Sequence, residues 1–371
     1  MNMLAWIKKR WEEIKRTDRP MNLLAFIKEK SMGITLNHRR KRALLLLLVL
    51  FFTGAAFYRY ATTPVNDITI AKTVDIPKGS GFFRITEILD NAGLVHNRPF
   101  FWVLAIGKKA AIHIRAGEYE LNSAMSPSAI LDKLVQGEIK VYQVTLPEDI
   151  TANEVARRLA AFKLVDEKEF MTLATDRSFL ASLDIEADSI EGYLYPDTYR
   201  FDRSMAIKVI IRIIVARFWR TVTPEMRERA EEIGLTLPQW VTLASIIGKE
   251  SGNNAEKPLI SAVFHNRMKR GMKLQSDPTA IYNLQQEGGQ VKTILRRHLK
   301  SDTPHNTYRI DGLPPGPIAN PGIDSLQAAL YPAKVNYLFF VSKNDGTHNF
   351  STNLASHNQA VLKYQINRQK K

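Results

Sequence analysis

Residues 43–58, ALLLLLVLFFTGAAFY, carry no charge and follow directly on the basic cluster Arg39-Arg40-Lys41-Arg42. Sixteen residues rise about 24 Å as a helix, short of the ~30 Å hydrocarbon core of a bilayer. Lys41, Arg42 and Arg59 can snorkel, and Tyr58 and Tyr60 can sit at the interface, which closes the difference. A cleaved signal peptide is the alternative, but it needs a shorter apolar region and a small-x-small cleavage site, and neither is evident. The segment therefore reads as an uncleaved transmembrane helix over residues 43–60. The positive-inside rule then puts residues 1–42 in the cytoplasm and residues 60–371 outside it, in a single-pass protein of the inner (plasma) membrane.

Charge distribution agrees with this division. The formal net charge is +15, of which residues 1–42 carry +8 and the remaining 329 carry +7. Such a charge suits nucleic acid, anionic lipid or an acidic polymer. Nucleic acid is not expected as a partner, because the excess precedes an anchor and no reader motif follows it. The tail repeats itself, MNMLAWIKKR at 1–10 against MNLLAFIKEK at 21–30. That repeat reads either as a headgroup-binding amphipathic segment or as a solvated basic tail. The absence of cysteine excludes a disulfide scaffold, a thiol nucleophile and cysteine-ligated zinc.

Beyond a linker at 60–75 lies a gapless internal repeat. Ile76-Pro77 recurs as Leu146-Pro147, and Ile85, Leu89, Leu94-Val95 and Phe100 recur as Val155, Leu159, Leu164-Val165 and Phe170, always seventy residues on. Each copy predicts strand, Pro-turn, amphipathic helix, short loop and second helix. A further strand is expected at 114–121, and a helix from Ser126-Pro127 to Gly137. Past residue 205 the pattern is helical, with breaks at Thr223-Pro224, Gly234, Thr236 to Pro238, Gly271 and Asp277-Pro278. Residues 301–322, rich in Pro, Gly and Asn, predict an ordered loop or the wall of a site. Residues 337–351 predict a hairpin about Asn344-Asp345-Gly346, and 353–370 a basic helix. The fold class expected is α+β: an anchor, a small α/β subdomain at 66–140, and a mainly helical α+β unit at 141–371.

No phosphate loop, nucleophile elbow, zincin motif or dinucleotide fingerprint is present. The eight histidines are scattered, so neither a metal nor a cofactor is expected. Carboxylate chemistry remains, and Glu250 is the leading candidate. On a helix through 239–250 it shares a face with Trp240, Leu243, Ala244 and Ile247 and lies in the last turn. Desolvation and the negative helix end would both raise its pKa, as a general acid for a glycosidic bond requires. The competing reading is an exposed glutamate at a helix end. The amide- and tyrosine-rich segments 283–290, 305–309 and 316–320 suit sugars better than phosphates.

Long motifs sharpen this reading. EGYLYPDTYRF at 191–201, LASIIGKES at 243–251, AVFHNRMKRGMKLQSDPTAIY at 262–282, HNTYRIDGLPPGPIANPG at 305–322 and YLFFVSKNDGTHNFS at 337–351 resemble the YceG-like family of endolytic murein transglycosylases. With the anchor and a 66–140 region resembling the family's LysM-like subdomain, the likeness covers residues 43–371. It implies a lytic transglycosylase that cuts the glycosidic bond from N-acetylmuramic acid to N-acetylglucosamine within nascent peptidoglycan strands. A 1,6-anhydro end would form, and glycan elongation could end there. Glu250 takes the place of the family's catalytic glutamate in an E-K-E-T segment that here reads Gly248-Lys249-Glu250-Ser251. The chain departs from the family at Gly248, and at Ile310-Asp311-Gly312, where His-Pro-Gly is usual.

Gln275, Asp277, His305, Asn306, Tyr308 and Asn320 are expected to line the cleft, although each could instead satisfy buried backbone. Asp277 reads more simply as the N-cap before Pro278. The resemblance implies peptidoglycan strands, the membrane and cell-wall synthesis proteins as partners. Two other functions stay open: a muramidase-type hydrolase, which would need a second acid such as Asp277 or Glu256, and a membrane-tethered peptidoglycan-binding scaffold.

Overall fold

The computed structural model describes residues 38–286, 291 and 294–366. The tail repeat, most of the 283–290 segment's glycine-rich end and the last five residues lie outside the described residues.

The apolar run forms helix α1, His38–Thr62, longer at both ends than the uncharged stretch. It is apolar enough to cross a membrane and is almost wholly uncovered by protein until its last turn, where Ala61 is buried. The seventy-residue repeat then appears as structure. Strand β1 (Ala71–Ile76), helix α2 (Phe82–Asn91) and helix α3 (Arg98–Gly107) form the first copy. Strand β3 (Tyr142–Thr145), helix α5 (Ala152–Ala161) and helix α6 (Glu167–Leu173) form the second. Between them come β2 (Gly117–Asn122) and α4 (Pro127–Gln136). Ser126 caps α4 by accepting from Ala129 N, and Gly137 closes it at φ 70°, a conformation that costs glycine nothing.

Each copy pairs its strand with a later one. β1 runs antiparallel to β2, with Val74 opposite Tyr119. β3 runs antiparallel to β4 (Thr198–Phe201), with Val144 opposite Tyr199. Repeat positions share burial: Ile76 and Leu146, Ile85 and Val155, Leu89 and Leu159 are all at most 3% exposed. Phe100 departs from its counterpart: Phe170 is buried, while Phe100 is half-exposed and Phe101 takes the core position.

The core falls into two clusters, one from Ala61 to Leu134 and one from Val144 to Leu330. Arg203 joins them. Its guanidinium lies 3.0 Å from Glu118 of β2 and 4.3 Å from the Tyr142 ring centre on β3, and the Tyr142 hydroxyl donates to the same Glu118.

The second cluster is built around α10 (Leu237–Glu250), preceded by α8 (Ile207–Thr221) and α9 (Pro224–Glu232), with α7 (Arg177–Ala181) before them. Thr236 and Gln239 form a capping box at the start of α10, and Pro238 sits in its first turn, a strong N-terminal signal. Every residue from Trp240 to Gly248 is buried. The helix is thus covered beyond the apolar stripe read from its spacing, and it is the central rod of the core. Around it pack α11 (Lys257–Lys269), α12 (Asp277–Gln286) and α14 (Ile323–Leu330), and the short α13 (Arg296–Leu299) lies against α12. The hairpin β5 (Phe339–Ser342) and β6 (His348–Ser351) turns at Asn344 to Gly346, and α15 (Leu354–Val361) follows.

Candidate active site

Glu250 is the last residue of α10, and the chain leaves the helix at Ser251 in an extended conformation. About two and a half turns of buried helix, Trp240 to Gly248, fix where its side chain starts, and the helix ends at Ser251. The Ser276 hydroxyl donates to Glu250 Oε1. Burial pushes the Glu250 carboxyl up to about 7; Ser276 opposes this, Asp277 adds to it, and the Arg267 guanidinium opposes it weakly. Near neutrality the group therefore exists as both acid and base, the condition for moving a proton in either direction.

The surrounding wall comes from two loops zipped together. Gln275 N donates to Thr307 O at 3.2 Å, Ser276 N to Thr307 Oγ1 at 2.9 Å, and Thr307 N to Thr279 Oγ1 at 3.2 Å. Gln275 adopts φ 50°, a left-handed conformation that turns the chain between Leu274 in the core and Ser276 at the carboxylate. Arg267 sits beneath, nearly buried, with its guanidinium on the carbonyls of Leu338 at 2.7 Å and Leu274 at 2.8 Å. A buried cation spent on backbone carbonyls ties α11, the β5 hairpin and the 273–276 loop into one frame.

The expected cleft residues divide. Gln275 and Asp277 are exposed beside Glu250, and the Tyr308 hydroxyl donates to Asp277 Oδ1 at 2.5 Å. Burial, then Asp277, holds the Tyr308 phenol well above its ordinary range, so it acts as a donor only. Asp277 is the first residue of α12, and its carboxylate serves Tyr308; no capping bond from it is present among the described residues. The N-cap account of Asp277 is therefore replaced by a tyrosine contact at the site. His305 is half-buried, lies tilted against the Tyr282 ring with centres 4.7 Å apart and is held by Asn283 at 3.1 Å. Burial pushes its pKa down to about 4, so the ring is neutral.

Asn306 and Asn320 do not line the cleft. Both are fully buried. Asn306 donates to the carbonyls of Leu299 at 3.2 Å and Ser301 at 2.6 Å and accepts from Tyr308 N at 3.1 Å. Asn320 accepts from Gly192 N and Leu194 N, both at 2.9 Å, and donates to Ile150 O and Glu191. Their amides satisfy backbone that loops have carried into the core.

Four residues went unnoticed in the sequence. Ser276 and Arg267 lie inside a quoted motif without a pattern of their own. Glu191 is 2% exposed and accepts from Ala152 N at 2.9 Å, from the Tyr282 hydroxyl at 3.1 Å and from Asn320 at 2.8 Å. Burial pushes it up to about 7. Asp149, at φ 62°, lays its carboxyl against Gly248 of α10, where a Cβ would collide with it. Its Oδ1 is buried without a hydrogen bond, and burial pushes its pKa up to about 6. Gly248 follows from that approach. The one available signal was a glycine deep in an apolar helix, which implies close contact.

A cleft of about 790 Å³ lined by Tyr193, Trp219, Arg227 and Leu235 opens at the other end of α10, some 15–20 Å from Glu250 along the helix. Carboxyl chemistry, rather than cavity size, makes Glu250 the candidate.

The sequence profile described as the YceG-like family matches residues 74–363. An endolytic murein transglycosylase of Bacillus subtilis (strain 168) is 32% identical over 336 residues, 85% of this chain and 91% of that protein. One from Streptococcus pneumoniae serotype 2 (strain D39) is 27% identical over 321 residues, 79% of this chain and 58% of that protein. A Listeria monocytogenes crystal structure described as yceG-like superposes with a TM-score of 0.55 at 31% identity, covering 78% of this chain and 98% of that one.

Proposed function

Since the chain belongs to the YceG-like family, we propose that it works as an endolytic murein transglycosylase with Glu250 as its single proton-transferring group. The enzyme class, a lyase of peptidoglycan, follows from its relatives. The observation that carries the role of Glu250 is the place of its half-buried carboxyl at the end of α10, where the Ser276 hydroxyl donates to it; burial there pushes its pKa up to about 7.

Glu250 as the acid protonates the oxygen linking N-acetylmuramic acid to N-acetylglucosamine, and the bond from that oxygen to C1 breaks. The carboxylate left behind takes the proton of the muramyl 6-hydroxyl while O6 bonds to C1. A 1,6-anhydro ring results, and Glu250 is again the acid. One carboxyl suffices because the nucleophile belongs to the substrate. Ser276 holds one carboxylate oxygen through both steps. Gln275, Asp277, Tyr308 and His305 border the bound sugar. A hydrolase would need a second carboxylate to activate water; of the two acids that could serve, Tyr308 engages Asp277 and His348 engages Glu256.

Residues 66–140 serve as a LysM-like strand-helix-helix-strand unit that steers glycan toward the 141–371 catalytic region. Helix α1 anchors the chain with its basic N-terminal side in the cytoplasm. Cleavage of nascent strands beside the membrane would end elongation and bring the enzyme close to cell-wall synthesis proteins.

Mass spectrometry of products from uncrosslinked glycan strands tests the chemistry. Anhydro ends are expected. Reducing ends would make the protein a muramidase, and binding without cleavage would make it a scaffold.

A further inference from the structure

Helix α3 is apolar on both sides. Phe101, Leu104 and Ala105 enter the first core cluster. Trp102, Val103 and Ile106 point the other way and are 40%, 56% and 68% exposed. Phe83 of α2 stands edge-on to Trp102 at 5.9 Å, and Ile112, on a separate 3-10 turn after α3, is 86% exposed. Phe83, Pro99, Trp102, Val103 and Ile106 line a shallow, almost wholly apolar groove of about 460 Å³. Soluble surfaces rarely gather so many large apolar side chains without a partner.

What covers this face is indicated by the helix beside it. Phe57 and Tyr60 of α1 both pack edge-on against Phe100, at 5.7 and 5.5 Å. Phe100 lies one turn before Val103, so the contact with α1 and the exposed stripe share one helix. Helix α1 is 25 residues long, about 38 Å, against a ~30 Å hydrocarbon core. Counted from Ala43, the first uncharged residue, Phe57 and Tyr60 lie about 21 and 26 Å along that core, in its outer third, and Phe100 lies beside them. Tryptophan and phenylalanine are the side chains favoured at that depth. Lys108, which Asp132 holds at 2.6 Å, and exposed Lys109 follow the helix, and Lys109 is placed to meet anionic headgroups.

We propose that the α2–α3 face is a second membrane attachment, with Phe83, Trp102, Val103, Ile106 and Ile112 seated at the headgroup–acyl boundary of the bilayer that α1 crosses. The inference rests on the reading of α1 as an anchor. Two attachments fix the orientation of the first unit, whereas one helix would leave it free to swing.

The chain has no cysteine, so single cysteines report cleanly. Ile106→Cys, Leu47→Cys in the anchor and Glu228→Cys on exposed α9 are each labelled with nitrobenzoxadiazole. The full-length proteins are placed in phosphatidylethanolamine–phosphatidylglycerol vesicles with or without nitroxide lipids. Lipid quenching at Ile106 of at least half that at Leu47, with none at Glu228, is the expected result. Quenching at Leu47 with an Ile106 probe that behaves like Glu228 overturns the docking face and leaves the anchor standing. No quenching at Leu47 removes the anchor, and the docking face with it. An Ile106 probe shielded from iodide but untouched by nitroxide lipid overturns the proposal in favour of a protein partner, such as a second copy.

Discussion

Ser276 donates its hydroxyl to Oε1 of Glu250 at 2.5 Å, across the seam between the end of α10 and the start of α12. The bond favours the carboxylate, whereas burial favours the acid, and the balance sets the group at about 7. Ser276→Ala removes the opposing pull. Glu250 then stays protonated to higher pH, and the alkaline limb of the rate profile moves up by about one pH unit. A pH–rate series on the variant checks this; an unmoved limb would mean that another group sets it.

Glu250→Gln keeps the shape and removes the transferable proton. Turnover is expected to fall by ~10²–10⁴ or more. Stability should change in the other direction, and only at high pH. The folded pKa of about 7 lies above the ordinary 4.5, so the folded state retains a proton that the unfolded chain has lost. The stability this contributes is complete below 4.5 and is lost as pH rises through 7. The parent protein thus carries a cost on the order of 1–3 kcal/mol at pH 8 that the glutamine variant lacks. Melting curves should coincide near pH 4 and separate by pH 8, with the variant higher.

Asp277→Asn tests the neighbouring charge. The carboxylate raises the pKa of Glu250, but it is solvent-exposed and therefore screened. Removing it should shift the alkaline limb down by a few tenths of a pH unit. The amide oxygen still accepts from Tyr308, so turnover should drop less than about tenfold. A loss equal to that of Glu250→Gln would instead make Asp277 a second catalytic acid and favour hydrolysis.

The difference between Asp277 and Asn320 shows what could be read without coordinates. The helix ends, the seventy-residue repeat and the carboxylate at the close of α10 are local: caps, prolines and apolar spacing specify them within a few residues. Asn320 looks the same as a sugar-binding asparagine in the chain, but it reaches Gly192, Leu194 and Ile150, the last 170 residues away. Whether an amide meets solvent or distant backbone depends on tertiary packing, which spacing does not encode. The same holds for α10. Its apolar stripe was visible, but its polar side is covered by other elements, with Thr242 closed off at 2% exposure and Ser245 at 0%. Ser276 was missed for a related reason, since a serine beside Asp277-Pro278 reads only as a turn.

Gly248 offers the sharpest test of how the end of α10 is held. A helix-interior glycine costs roughly 1 kcal/mol relative to alanine, so Gly248→Ala would ordinarily stabilise. Here the new Cβ would collide with the Asp149 carboxyl. Asp149 cannot easily retreat: its N donates to Asn320 O at 2.9 Å, and its carbonyl accepts from Lys249 Nζ at 3.1 Å. The alanine variant should therefore lose about 1–3 kcal/mol and some activity, because Glu250 is two residues away. Asp149→Gly suits the φ of 62° and clears the space. In that background Gly248→Ala should reverse sign and gain about 0.5–1 kcal/mol. Denaturant titrations of the four proteins of this cycle give the coupling directly. Additive effects would show that glycine at 248 is required by something other than Asp149.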